Sequence, residues 1–307
     1  MSRKVFIDGA AGTTGLEIVE RLAPRAEFEL ILLDEQQRKD PGARGDAFRA
    51  ADFAVLCLPD DAAREAIALA EGSKVRIIDA STAHRVAPGW VYGFPEVEGR
   101  EAIANAERVS NPGCYSTGFI ALIAPLLRAG LLPFDWPYSC NAVSGYSGGG
   151  KAMIARFADD TDIAFRTYAL GLGHKHVPEM QARCGLSIPP LFAPSVIPAH
   201  RGMVVEVPLP LAHMPMAGSP EVLRLALADF YSTSRIVTVH DETPDELLLR
   251  RSMQPSDRLD LFVFGSQDGT QARLIARLDN LGKGASGAAV QSLNLMAGLD
   301  EIAGLSL

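Results

Sequence analysis

The sequence predicts an α/β protein in two parts, a parallel sheet with helical crossovers followed by an α+β unit. Three observations carry that expectation. Over the first 120 residues, continuous apolar runs alternate with stretches of helical spacing, the pattern of strands covered by helices on both faces. A glycine-rich turn joins the first of these runs to the first helix. From Tyr138 onward the strand-like pieces alternate apolar and polar residues, as in a sheet with one solvated face. A length of 307 residues agrees with two domains at roughly 100–200 residues each.

Taken in order, Lys4-Val5-Phe6-Ile7-Asp8 is the first strand, Gly9 to Gly15 the turn, and Leu16 to Leu22 the helix after it. Phe28 to Leu33, Phe53 to Leu58 and Val75 to Asp79 are the next strands; Pro59 and the helical run DDAAREAIALA follow the third. Between Asp34 and Asp52 the charges, with Pro41, Gly42 and Gly45, read as a loop with room for one helical turn. After Cys114 the run FIALIAPLLRAGLL is helical, with Pro125 expected to interrupt it. YSCNAVS, MVVEVPLPL, RIVTV, LDLFVFGS and QARLIARLD are strands of the second sheet, and Glu221 to Phe230 is the clearest helix among them. Ala285 to Ala297 is an apolar helix expected to return to the first domain.

With 48% apolar and 21% charged residues, the chain has the composition of a globular protein with a sizeable core, which excludes global disorder. A formal net charge of −8 argues against wholesale binding to nucleic acid or an anionic membrane. No segment approaches the ~18 apolar residues of a membrane span. The opening MSRKVFIDGAAG runs straight into a strand, so a secretory signal is not expected. Cys57, Cys114, Cys140 and Cys184 form no CxxC pair, so a reduced, cytoplasmic setting is expected.

Gly9-Ala10-Ala11-Gly12-Thr13-Thr14-Gly15 follows a strand and opens a helix. Small residues there permit a tight turn and close approach to a pyrophosphate, and the helix start supplies free N–H groups. The spacing is GxxGxxG rather than GxGxxG, so the strand–turn–helix context carries the Rossmann-type reading. Asp34, just after the second strand, suits a ribose hydroxyl and hence NAD; Arg38 and Lys39 suit a 2′-phosphate and hence NADP.

Cys114, in SNPGCYSTG, stands at the start of a helix. The helix dipole and free amides favour thiolate there and can stabilise an acyl oxyanion. The other cysteines read as packing residues. A nucleophilic cysteine beside a dinucleotide fold implies attack on a carbonyl carbon that hydride then reduces. The acid or base this needs is in His174-Lys175-His176-Val177-Pro178-Glu179, where Glu179 is placed to orient a ring. His-x-His also has the pattern of a metal pair, but no third ligand has convincing spacing, so no metal is expected. Gly145 to Lys151 satisfies GxxxxGK, yet Ala152 replaces the Mg²⁺-binding hydroxyl, which leaves a phosphate-binding loop at most. Arg201-Gly202 and the stretch Asn280 to Gly287 are two further basic, glycine-bearing loops. Three such loops in an acidic protein point to an anionic ligand.

These motifs, together with CLPDDAARE, DASTAHR, YGFPE, PAHRGM and NLGKGASGAAVQSLNLM, run in order over nearly the whole chain. In them the sequence resembles the shorter form of the N-acetyl-γ-glutamyl-phosphate reductases, within the aspartate-semialdehyde-dehydrogenase-like family. The resemblance implies NADPH-dependent reduction of N-acetyl-γ-glutamyl phosphate to N-acetylglutamate γ-semialdehyde and phosphate, a step of arginine biosynthesis. It implies Cys114 as nucleophile and His174 or His176 as acid/base. Gly9, Gly12, Thr13, Thr14, Gly15, Ser81 and the Gly282-Lys283-Gly284 loop would hold the cofactor, with Pro59 nearby. Asn111, Ser144, Lys151 and Arg201 are the substrate candidates. The implied domains are 1–116 with 284–307 for the dinucleotide, and 117–283 for substrate, catalysis and homo-oligomer formation.

The nearest alternatives are an aspartate-semialdehyde dehydrogenase, against which HKHVPE argues, and a reductase of carrier-linked aminoadipyl phosphate, for which the net charge of −8 offers no docking surface. A cysteine–histidine hydrolase would leave the glycine turn unexplained. A non-catalytic dinucleotide sensor would leave Cys114 and the histidine pair idle.

Overall fold

The computed structural model describes residues 2–242 and 244–307. The chain forms two compact units, Met1–Gly113 with Ala285–Leu305 and Cys114–Gly284 with Ser306–Leu307.

The first unit is built on six parallel strands. In chain order its elements are β1 (Arg3–Asp8), α1 (Thr13–Leu22), β2 (Phe28–Ile31), α2 (Pro41–Ala50), β3 (Phe53–Leu56), α3 (Asp60–Leu69), β4 (Arg76–Asp79), β5 (Val91–Tyr92), α4 (Pro95–Glu98), α5 (Arg100–Ala104) and β6 (Arg108–Ser110). The strand order is β2-β1-β3-β4-β6-β5. Both faces are covered, which explains the continuous apolar runs. Val5 and Ile7 pack with Ile18 and Leu22 of α1 and with Val290 and Leu293 near the C-terminus. Phe6, between them in the strand, turns to the other face with Phe48 and Ala66. The Phe6 and Phe48 rings meet edge to face at 4.9 Å.

The stretch from Asp34 to Asp52 departs from the expected loop. It holds a 3₁₀ turn, Gln37–Lys39, and then the ten residues of α2. Asp40 caps α2 by accepting the N–H groups of Gly42 and Ala43, and Pro41 occupies the first turn, where its missing N–H costs nothing. Two glycines and a weak apolar stripe hid the helix from periodicity. Tertiary packing of Ala47 and Phe48 forms it instead.

The second unit carries α6 (Cys114–Arg128), β7 (Ser139–Gly145), α7 (Gly150–Asp159), β8 (Arg166–Thr167), α8 (Val177–Cys184), β9 (Leu191–Ile197), β10 (Met203–Leu209), α9 (Pro220–Phe230), β11 (Val237–Val239), β12 (Leu259–Gly265) and β13 (Ala272–Leu278). Its mixed sheet runs β11-β12-β13-β10-β7-β9-β8. Residues 115–127 of α6 are all buried, and the helix packs against α8, α9, β10 and β13. Gly118 allows that approach: a Cβ there would lie 2.7 Å from Val205 Cγ2.

Pro125 does not interrupt α6. Proline has no N–H for the carbonyl four residues back, and here that carbonyl, Ala121 O, accepts the Tyr231 hydroxyl at 2.9 Å. The unmade helical bond is replaced by a side chain from just beyond α9. The last helix, α10 (Gly287–Met296), follows a wider turn at Gly282–Ser286 and joins the core of the first unit.

Candidate active site

In the first unit the glycine turn is drawn tight. Gly9 has φ +89°, and a Cβ there would lie 2.3 Å from Cys57 O. A Cβ on Gly15 would lie 2.4 Å from Gly9 O. Gly12 donates to Gly9 O at 2.9 Å and precedes α1 with no side-chain cap. The first-turn N–H groups at Thr13, Thr14 and Gly15 thus face no capping side chain, which fits the pyrophosphate of a dinucleotide.

At the end of β1, Asp8 forms a buried ion pair with Arg44 of α2, 2.9 Å from Nη2 and 3.1 Å from Nε. Burial raises the Asp8 pKa, and Arg44 opposes the rise. Asp34 is exposed, and its Oδ1 accepts the N–H groups of Gln36 and Gln37 at 2.9 and 2.8 Å. Arg38 lies on the turn so capped, in an exposed pair with Glu35 at 3.0 Å. Pro59 is exposed and precedes α3.

The β4 end is a dense polar knot. Asp79, fully buried, accepts the Ser81 N–H at 2.9 Å, the Ser81 hydroxyl at 2.7 Å and His84 Nδ1 at 2.6 Å. The Ser81 hydroxyl is therefore engaged within its own loop. The knot also fixes Asn111. Its N–H donates to Asp79 O at 2.7 Å, its carbonyl accepts Arg85 Nε at 3.0 Å, and its Nδ2 donates to Ala285 O at 2.9 Å. Those bonds orient the amide, and its buried Oδ1 has no hydrogen-bond partner among the described residues.

In the second unit Cys114 is the first residue of α6. Gly284 packs directly on it: a Cβ at 284 would lie 2.8 Å from Cys114 Cβ. A relay of rings begins at Tyr115, the residue after Cys114, and at Tyr168, both within reach of the Cys114 charge. His174 Nδ1 accepts the His176 backbone N–H at 3.1 Å, which puts the proton of the neutral ring on Nε2. Nε2 lies 3.4 Å from the Tyr168 hydroxyl, Tyr168 donates to the Tyr115 hydroxyl at 3.4 Å, and Tyr115 donates to Ser195 O at 3.2 Å. Contacts of this length are common before substrate tightens a site. Burial pushes the Tyr115 phenol well above its ordinary value and Tyr168 up to about 12, and the charge of Cys114 adds to both. The Ser144 hydroxyl reaches Tyr115 as well.

The two histidines differ. His174 is half-buried, while His176 is buried with its ring edge-on to His174 at 4.8 Å. Glu179, also buried, accepts the Ser116 hydroxyl at 2.8 Å, which ties α8 to the first turn of α6. Tyr168 and Ser195 carried no local signal in the sequence, and neither did Asp279. Asp279 accepts Arg201 Nη1 at 2.8 Å. Lys283 is buried, whereas Lys151 is exposed on the first turn of α7. The GxxxxGK stretch forms a 3₁₀ turn before α7. No cluster of metal-ligating side chains occurs among the described residues, and none of their helices is long and apolar enough to cross a membrane.

A parallel-sheet unit with a dinucleotide-type turn, joined to a mixed-sheet unit that opens on a cysteine, defines an oxidoreductase of the semialdehyde-forming class. Comparison with known proteins agrees. Residues 4–106 match the family model described as semialdehyde dehydrogenase, NAD binding domain, and residues 114–280 match semialdehyde dehydrogenase, dimerisation domain. The fold is shared with an aspartate semialdehyde dehydrogenase from Francisella tularensis, at TM-score 0.71 and 15% identity over 96% of this chain and 100% of that one. It is also shared with aspartate semialdehyde dehydrogenase II from Vibrio cholerae, at TM-score 0.70 and 18% identity over 97% and 99%. N-acetyl-gamma-glutamyl-phosphate reductase 2 of a Nostoc species is 49% identical, over 98% of this chain and 99% of its own length. The N-acetyl-gamma-glutamyl-phosphate reductase of Brucella ovis is 50% identical, over 97% and 100%. The chain belongs to the semialdehyde dehydrogenase family, in its N-acetyl-γ-glutamyl-phosphate reductase branch.

Proposed function

We propose that this protein reduces N-acetyl-γ-glutamyl phosphate to N-acetylglutamate γ-semialdehyde and phosphate with NADPH, as a homo-oligomer. The observation that carries the reading is Cys114 as the first residue of a buried helix, packed on by Gly284 and near Tyr115 and Tyr168, with His174 in contact with Tyr168. Aligned near-full-length relatives at about half identity supply the substrate. The dimerisation-domain match supports the oligomer. Cys57, Cys114, Cys140 and Cys184 form no disulfide, which supports a reduced, cytoplasmic setting, and the named relatives support a place in arginine biosynthesis.

The helix start favours the Cys114 thiolate. Its Sγ attacks the acyl carbon, the bond from that carbon to the phosphate oxygen breaks, phosphate leaves, and a thioester joins substrate to Cys114. The amides that open α6 stabilise the oxyanion on the way. NADPH, when bound, supplies the hydride that reduces the acyl carbon. His174 keeps its proton and donates a hydrogen bond from Nε2 to the oxygen of that carbon, stabilising the negative charge the hydride leaves there, because its Nδ1 is held as an acceptor by the His176 amide. Collapse breaks the carbon–sulfur bond, frees the aldehyde and returns the thiolate. His176 thus acts through its backbone, and its buried ring braces His174.

Gly9, Gly12, Thr13, Thr14 and Gly15 would hold the cofactor's pyrophosphate, with Pro59, Ser81 and the Gly282-Lys283-Gly284 turn alongside. Arg38 would take the 2′-phosphate: its exposed pair with Glu35 is weak enough to exchange for a phosphate. Asp34 uses Oδ1 to cap the turn that carries Arg38. Asn111 Oδ1 is a buried acceptor without a donor, and both the cofactor's carboxamide and the substrate's acetamide carry the N–H it needs. Ser144, Lys151 and Arg201 are the remaining substrate groups.

The test is the reverse reaction, following NADP⁺ reduction with N-acetylglutamate semialdehyde and phosphate, for the wild type and Cys114→Ala. Phosphate-dependent turnover that vanishes in Cys114→Ala is expected, with NAD⁺ and aspartate semialdehyde as poor alternates. Turnover only with aspartate semialdehyde would overturn the substrate. A folded protein that binds NADPH and turns over neither aldehyde would overturn the enzyme reading.

A further inference from the structure

Asp279 is a fully buried carboxylate with no part in the chemistry above. It receives donors from three separate segments. Arg201 Nη1 donates to Oδ2 at 2.8 Å, the Ser256 N–H to Oδ2 at 3.3 Å, and the Leu281 N–H to Oδ1 at 3.0 Å. Its own carbonyl accepts the Gly284 N–H at 3.0 Å, and Gly284 is the residue packed against Cys114 Cβ. Thus one short chain of contacts runs from the nucleophile through Gly284 and Asp279 to the guanidinium of Arg201.

The neighbouring residues tighten the same link. Asn280 Oδ1 accepts the Gly202 N–H at 3.0 Å, and Asn280 Nδ2 donates to the Ser147 hydroxyl at 2.9 Å. Gly202 O in turn accepts the Gly145 N–H at 2.8 Å. Residues 279 and 280 therefore grip Arg201 by its side chain and Gly202 by its backbone. The three basic, glycine-bearing loops of the sequence converge on this one pair.

A guanidinium on a flexible stem loses much of its value as an anion site when it must be ordered at each encounter. A guanidinium held at one Nη by a buried carboxylate keeps its orientation. We propose that Asp279 is a positioning residue: it aims Arg201 at the phosphate group that leaves, and in reverse attacks, the acyl carbon on Cys114. The proposal rests on the acyl-phosphate reading of the site. It separates into claims about Arg201 and about Asp279, and each has its own variant.

The experiment measures inorganic phosphate in two ways: binding to the protein by calorimetry without cofactor, and KM for phosphate in the reverse reaction. The variants are Arg201→Ala, Asp279→Ala and the size-matched Asp279→Asn, which keeps the fold testable should the alanine variant unfold. Arg201→Ala should weaken phosphate in both measurements. Asp279→Ala should raise both the phosphate Kd and KM about tenfold or more, the scale of one charged hydrogen bond. KM for the semialdehyde and the alkylation rate of Cys114 should move far less, and Asp279→Asn should fall between. A purely structural Asp279 would move semialdehyde KM, phosphate KM and Cys114 alkylation together, which would overturn the proposal. Unchanged or tighter phosphate binding in both Asp279 variants would also overturn it, because removing the carboxylate would then have only unmasked the arginine charge. Unchanged phosphate binding in Arg201→Ala would instead remove the anion role of Arg201. Loss of all acyl-phosphate chemistry in the wild type would remove the underlying reading.

Discussion

A methyl group at residue 284 probes how firmly Cys114 is held. Built on the backbone of Gly284, it lies 2.8 Å from Cys114 Cβ and 3.1 Å from Asp279 O, against an ordinary contact limit of 3.4 Å. The shortfalls are 3.4 − 2.8 = 0.6 Å and 3.4 − 3.1 = 0.3 Å. Neither neighbour yields easily. Cys114 is anchored by the buried length of α6, and the 282–286 turn is backed by Ser256 O, 1.9 Å from a Cβ built on Gly282. Overpacking of this kind costs about 1–3 kcal/mol. A reacting atom displaced by about 1 Å loses on the order of 10²-fold in rate, so a displacement near 0.6 Å should lower kcat/KM by about 15-fold. The assay is NADP⁺ reduction for Gly284→Ala and the wild type. The urea midpoint reports stability, and the iodoacetamide rate at Cys114 reports the thiol without substrate. Stability lowered as stated, with kcat/KM within about threefold and alkylation unchanged, would refute the idea that this contact fixes the nucleophile.

Iodoacetamide near neutral pH should label Cys114 alone, read by peptide mass mapping, because burial pushes the Cys57 thiol up to about 12 and raises Cys140 and Cys184 as well. His174→Gln should lower kcat by about 10²–10⁴-fold; His176→Gln keeps the backbone N–H that fixes His174, so steady-state kinetics should show a smaller loss. The Tyr168 phenol rises from 10.0 to about 12 through burial. The unfolded chain thus releases its proton first, so that stability is complete below pH 10 and is lost as pH climbs to about 12; the gap amounts to about 2–3 kcal/mol. Urea titrations across that range should show a slope in the wild type that Tyr168→Phe reduces by this one contribution, while Tyr115 and the buried cysteines, also raised by burial, keep the rest. Arg44→Leu should destabilise by about 3–5 kcal/mol, since it strands buried Asp8, and Asp8→Asn in the same chain should recover part of the loss. Tyr231→Phe leaves Ala121 O unpaired and should cost about 1–3 kcal/mol; in a Pro125→Ala background the restored helical N–H should reduce that cost.

The last pair of variants also marks where the sequence stopped being readable. Pro125 looks like a break because proline withholds an N–H, and that inference is locally sound. What cancels it is the hydroxyl of Tyr231, bonded to the carbonyl of Ala121 110 residues before it. The helix over Pro41–Ala50 was lost in the same manner. Its glycines and charges argue for a loop, while its stability comes from Phe48 against Phe6 and from Arg44 against Asp8, 36 residues away. Pro194 stands inside β9, where a proline argues against a strand, yet β9 pairs in parallel with β7 throughout. By contrast, the first sheet was readable throughout its core. Burial on both faces demands apolar residues at consecutive positions, and a tight βα turn demands glycines at fixed offsets. The site divides along the same line. Cys114, the histidine pair and Arg201 announce themselves by residue type beside glycine, proline or another polar group. Tyr168 and Asp279 do not, since a tyrosine after a short strand and an aspartate at a strand end are ordinary residues. Their importance exists only through a partner: His174 for Tyr168, and Arg201, 78 residues away, for Asp279. Groups that perform a reaction are constrained by their own chemistry, and groups that aim them are constrained by geometry. A search for positioning residues in this family should therefore begin from the second partner of each reactive side chain, not from motifs.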